Sequence, residues 1–136
     1  MNPYASPQAY RANAVLTATP EQLVVMLYDG AVRFLRQAET AMREGAWLHA
    51  FEKLTRGEAI IDELLATLNM DTGEIAERLQ AIYVFSKRTL IEARLQRDAD
   101  KISHVIALLC SLREAWAKLA EQAAASAPAE QQPASA

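Results

Sequence analysis

The sequence predicts an all-α protein, an antiparallel four-helix bundle with a mobile N-terminal arm and a disordered C-terminal tail, and three observations predict it. Apolar residues recur at intervals of three and four through most of the 136 residues, the spacing that gathers side chains on one face of an α-helix. These runs break at Gly45, at Asn69–Gly73 and at Asp98–Asp100, so four long helices share short connections, which make neighbours antiparallel. Four glycines and a 7% aromatic share also point to helices.

Residues 1–18 read as the arm: Pro3, Tyr4, Pro7, Tyr10, Val15 and Leu16 fall without sustained periodicity. The bundle domain spans 19–121, and its first helix runs from about Pro20 to Glu44. Thr19 is a good N-cap, Pro20 takes the first helical position where a missing N–H costs nothing, and Gln22 closes a capping box. Leu23, Leu27, Gly30, Phe34, Ala38 and Ala41 form one face, expected to be core. Val25, Tyr28, Val32 and Leu35 form a second apolar stripe roughly half a turn away. Gly45 stops the helix.

Helix two, about Ala46 to Leu68, turns Trp47, Phe51, Leu54, Glu58, Ile61, Leu65 and Leu68 to one side, with Gly57 at a close-packing position. Helix three starts near Gly73 or Glu74, ends near Arg97, and carries Ile75, Leu79, Ile82, Ser86, Leu90 and Ala93 inward. Val84, Ile91 and Leu95 cluster roughly opposite that face. Asp98 and Asp100 supply acid to the start of helix four, where Ile102, Val105, Leu109, Leu112, Trp116 and Leu119 alternate by threes and fours. From 122 to 136 the Ala, Ser, Gln and Pro content offers little to offset ordering entropy, hence the expected tail.

A peripheral bundle helix needs one apolar stripe, so the second stripes on helices one and three require an account. They are either consumed by a crowded core or covered by the arm, or they receive an amphipathic partner segment in a groove. Catalysis is not expected. The paired Glu-x-x-His motifs of a di-iron bundle are absent, and His49 and His104 sit apart on different helices. Cys110, beside the helix-four stripe with no basic neighbour in sequence, reads as a buried thiol, and there is no phosphate loop. Neither metal nor cofactor is expected. With 51% hydrophobic residues the chain can bury one core. A net charge of −3, with Lys and Arg interspersed among acids, argues against nucleic acid. A single cysteine, no signal-like segment and no apolar run near the ~20 residues of a span predict a cytoplasmic protein that does not insert into membranes.

The run Thr17-Ala18-Thr19-Pro20, with Leu23, Met26, Leu27, Tyr28, Asp29, Gly30 and Ala31, resembles the opening of the first long helix in the flagellin-specific flagellar export chaperone family, FliS. Further matches lie at Ala59–Leu64, at Gly73–Ala76 with Leu79 and Tyr83, and at Leu112–Trp116. The chain departs from the family pattern at Tyr83-Val84-Phe85-Ser86, where a second aromatic and a Met are expected, and at Ala93-Arg94, where Ala-Asn is common. The resemblance implies a cytoplasmic chaperone that binds the disordered C-terminal segment of flagellin, prevents premature polymerisation and delivers it to the flagellar type III export apparatus. Val25, Tyr28, Val32, Leu35, Val84, Ile91 and Leu95 are then candidate client-binding residues. Tyr10 matches the family's N-terminal tyrosine and, with Pro7 and Val15, is a candidate for docking the loaded chaperone on the cytoplasmic domain of an export-gate membrane protein. An anti-sigma factor or assembly regulator is a further candidate partner. The competing expectation is a four-helix adaptor that binds a folded partner.

Overall fold

The computed structural model describes residues 16–126. Within them lie four helices, α1 (Pro20–Arg43), α2 (Trp47–Thr67), α3 (Glu74–Gln96) and α4 (Ala99–Ser126), with a 3-10 turn at Met70–Thr72 between α2 and α3. Contacts between helices fix their directions. Arg43 at the end of α1 meets Asp100 at the start of α4, Arg36 meets Cys110, and Asp29 meets Arg113, so α1 and α4 are antiparallel. Lys87 pairs with Asp62 and Arg94 with Glu58, which sets α3 antiparallel to α2. The result is an up-down-up-down bundle.

The sequence signals at the helix ends form as expected. The Gln22 N–H donates to Thr19 Oγ1 at 3.1 Å, and the Thr19 N–H donates to Gln22 Oε1 at 2.8 Å. These bonds satisfy donors that the first turn of α1 would leave unpaired. After α1, Gly45 takes a φ of 76°, and the Ala46 N–H reaches back to the Ala41 carbonyl at 2.8 Å while Gly45 donates to Met42 at 3.1 Å. This is the Schellman arrangement, in which glycine avoids the Cβ penalty of the left-handed region. α3 ends differently. Arg97 occupies that region with a φ of 53°, a cost of roughly 1–2 kcal/mol. Its guanidinium lies 4.6 Å from the centroid of the Trp47 ring, a contact worth about 0.5–1 kcal/mol that offsets part of the strain.

Each helix buries a stripe spaced by threes and fours: Tyr28, Ala31, Leu35, Ala38 and Met42 on α1; Ala50, Leu54, Gly57, Ile61 and Leu64 on α2; Leu79, Tyr83, Ser86, Leu90 and Ala93 on α3; Ile102, Val105 and Leu109 on α4. α1 packs closely along both α2 and α4, whereas α3 meets α2 and α4 more sparingly and lies diagonally across from α1. This arrangement corrects the expectation for α1. Tyr28 and Leu35, read as a second stripe that could bind a client, are 0% exposed in the core, while Leu23, read as core, is exposed and Phe34 half-buried. A helix with two close neighbours turns the arc between its two apolar stripes inward, so the crowded-core reading holds there.

Smaller differences follow the same geometry. On α3 the core takes Tyr83, with Ile82 half-buried, and Ile75 in the first turn is exposed. On α4 Leu119 is exposed, on last turns flanked by the start of α1. α4 also continues through residues 122–126, the beginning of the expected tail, because alanine is the strongest helix former and Ala123–Ala125 prolong the helix. Leu16 and Thr17, placed in the expected arm, are helical. The rest of the arm, with Pro7, Tyr10 and Val15, and residues 127–136 of the tail lie outside the described residues.

Candidate binding surface

The outward face of α3 carries an apolar stripe interrupted by the exposed Arg88. Val84 is 43% exposed, Ile91 49% and Leu95 78%, at spacings of seven and four that place them on one side of the helix. They are the part of the expected client-binding set that the fold leaves accessible. Phe85, 58% exposed, joins them and was missed by the sequence reading, although it sits within the departure from the family pattern at Tyr83–Ser86. α3 can present this stripe because its own core side is supplied by Leu79, Tyr83, Leu90 and Ala93.

A second apolar feature opens at the end of the bundle where α1 and α3 begin. A cavity of about 400 Å³ is walled by Leu23, Val24 and Leu27 of α1, Leu64 and Leu68 of α2, Ile75, Leu79 and Tyr83 of α3, and Trp116 of α4. Sequence periodicity assigned most of these positions to the core. The structure leaves them lining a void, because α3 stands off from α1 while α1 lies tight on α2 and α4. The signal that could have found it is positional: Leu23 and Ile75 are first-turn residues, and first turns have neighbours on fewer sides.

At the base of this region the Tyr28 and Tyr83 hydroxyls hydrogen-bond to each other across the diagonal of the bundle. Their rings are 6.3 Å apart and tilted by 48°. Burial, and for Tyr28 also the bond to Tyr83, pushes the Tyr28 phenol far above its ordinary range; burial raises Tyr83 as well. Both are therefore neutral, and the pair satisfies two polar groups that would otherwise be stranded in an apolar core. Ser86, the other buried polar residue of α3, donates to the Ile82 carbonyl at 2.8 Å.

The remaining candidates scatter. Val25 is half-buried in a shallow depression with Gln22, Met26 and Ala117. Val32 is half-buried against the core, beside a groove between α1 and α4. Cys110 is half-buried, and Arg36 from α1 donates to its Sγ at 3.8 Å, so it does have a basic neighbour, brought by the fold rather than by its own helix. His49 and His104 are exposed on different helices. Among the described residues no group of three or more His, Cys, Asp or Glu side chains could hold a metal ion, and no helix is long and apolar enough to cross a membrane.

Fold and surface together define a small helical bundle with apolar side chains exposed along α3 and an apolar cavity at one end. Comparison with known proteins sharpens this class. Residues 2–123 match the family model described as Flagellar protein FliS, so the chain belongs to the FliS family. The chain is 35% identical over 115 residues to the Flagellar secretion chaperone FliS of Bacillus subtilis, covering 85% of this chain and 84% of that protein. It is 37% identical over 113 residues to the Flagellar secretion chaperone FliS of Salmonella typhimurium, covering 82% and 84%. The protein of the same name from Campylobacter jejuni is 34% identical over 109 residues, covering 79% and 85%.

Proposed function

We propose that this protein is a cytoplasmic, non-enzymatic flagellar secretion chaperone whose client is the disordered C-terminal segment of flagellin. The observation that carries the reading is the exposed stripe of Val84, Phe85, Ile91 and Leu95 on a chain whose relatives are named flagellar secretion chaperones. A client segment that becomes an amphipathic helix would lay its apolar side along this stripe and insert side chains into the cavity beside Leu23 and Ile75. Covering the client's apolar face keeps it from self-association. Ordering an unfolded client opposes part of the contact energy, so affinity is moderate for the area covered and release requires no nucleotide. The chaperone then passes its client to the type III export apparatus, with Tyr10 and Val15 in the segment that docks on the cytoplasmic domain of the export gate. An anti-sigma factor or assembly regulator would compete for the same surface.

The test is flagellin polymerisation followed by light scattering. Equimolar chaperone is expected to suppress filament growth from flagellin monomers, and to lose this effect, together with complex formation on gel filtration, when flagellin lacks its C-terminal segment. Unchanged growth in the presence of chaperone, or equal binding of the truncated flagellin, contradicts the reading.

A further inference from the structure

On the side of α1 that faces α2, away from the α3 stripe, cations are gathered by a neutral ring. The charged groups of Arg33, Lys53 and Arg56 lie 5.2, 5.6 and 5.8 Å from the centroid of Phe34. Any two are thus within about 12 Å, on the order of one Debye length at physiological salt. Only Arg56 has a carboxylate nearby, Glu52 on its own helix at 3.4 Å. Among the described residues Arg33 and Lys53 have none at ion-pair distance. About one turn along α1, Arg36 reaches to Cys110 Sγ, again without a carboxylate.

Several other cations are neutralised by carboxylates, whereas Arg97, among the described residues, rests on the Trp47 ring alone. Arg43 is paired with Glu39 and Asp100, Arg94 with Glu58, Lys101 with Glu92 and Arg113 with Asp29. The Phe34 ring instead holds long side chains in place without cancelling their charge. A chain of net charge −3 therefore keeps on this face three cations gathered on one aromatic ring. Ordered side chains lose less entropy when they meet an anion.

We propose that this α1–α2 face docks a carboxylate-rich segment of a protein partner. The Arg33 guanidinium matches a carboxylate in a two-point geometry, Lys53 of α2 adds a point charge beside it, and Arg36, turned toward α4, borders the face. The patch is short and bounded by acids: Glu52 on α2, and Asp29 and Glu114 in the groove that Arg33 and Arg36 also line. A uniform polyanion would run onto these acids, whereas a few carboxylates on a peptide would not. That boundary favours an acidic protein segment over RNA.

The test titrates the full chain, labelled with ¹⁵N, with a short serine peptide that carries two adjacent acidic residues at its centre, and with its Gln/Asn counterpart. The acidic peptide is expected to shift the resonances of Arg33, Arg36, Lys53 and Arg56, and to lose about tenfold or more in affinity as salt rises from about 50 to about 500 mM. R33Q/K53Q should weaken it by about tenfold or more. Phe34→Leu, which keeps every charge but frees the cations, should weaken it several-fold and serves if the double variant fails to fold. Binding of the Gln/Asn peptide with equal affinity, shifts confined to other faces, affinity unchanged in both variants, or tighter binding of a single-stranded RNA twelve-mer to the same residues each overturns the proposal.

Discussion

The Tyr28–Tyr83 pair binds two helices that otherwise have little to do with each other, and its cost structure is specific. Removing one hydroxyl leaves the other buried without its partner, so Tyr28→Phe or Tyr83→Phe should each lose roughly 1–3 kcal/mol in chemical denaturation. The double variant should recover part of that loss, since neither phenol is stranded and only the Trp116 indole N–H loses its bond to Tyr28. The pair also sets a pH dependence. Both folded-state values lie above the ordinary tyrosine value of 10.0, so below that pH the pair's contribution is fully present. As pH rises through about 10 the unfolded chain ionises first and stability falls. Comparing denaturation at about pH 9 and pH 11 should show a steeper loss in the parent than in Y28F/Y83F. The sequence disclosed both tyrosines but not their meeting. They are 55 positions apart, and periodicity states which residues share a face without stating which face looks inward.

Helix-scale packing makes a paired prediction at the α1–α2 contact. A Cβ at Gly57 would come within 2.7 Å of Leu35 Cδ2, and Leu35 is fully buried, so Gly57→Ala should cost about 1–3 kcal/mol despite alanine's better helix propensity. At Gly30 the nearest atom is Ile60 Cδ1 at 3.1 Å, the end of a half-buried side chain that can yield, so Gly30→Ala should be near neutral or stabilising by up to about 1 kcal/mol. Thermal melting of both variants checks the sign difference. Helix limits were the most legible feature of the sequence. Thr19, Pro20, Gln22 and Gly45 act through local backbone bonds, and α1 ends one residue from where they place it. The end of α4 was not legible, because the alanines at 123–125 suit a solvated tail and a solvated helix equally and no cap separates the two. The α1 stripe was misjudged for another reason: Tyr28 and Leu35 are inside because α1 has two close neighbours, a fact of assembly rather than of the helix itself.

Across the whole molecule, apolar residues divide into those that hold the bundle together and those left exposed, to which the proposed function assigns the client. Sequence alone located an exposed group on α3, since Val84, Ile91 and Leu95 oppose a complete inward stripe, yet it offered an equivalent group on α1 of which the core takes Tyr28 and Leu35. The cavity beside Ile75 was hidden for the same reason, being a gap between helices rather than a property of any one of them. The most direct test of the division measures stability and client binding on the same variants: V84S/I91S/L95S and, as a core control, Leu109→Ala, by thermal melting and by calorimetric titration with a flagellin C-terminal peptide. The triple variant should melt close to the parent yet bind about 100-fold more weakly, each lost side chain removing roughly 1 kcal/mol of apolar contact. Leu109→Ala should lose roughly 2–5 kcal/mol of stability and, while folded, bind as the parent does. A triple variant that unfolds like Leu109→Ala, or one that binds the peptide with parental affinity, would contradict the account.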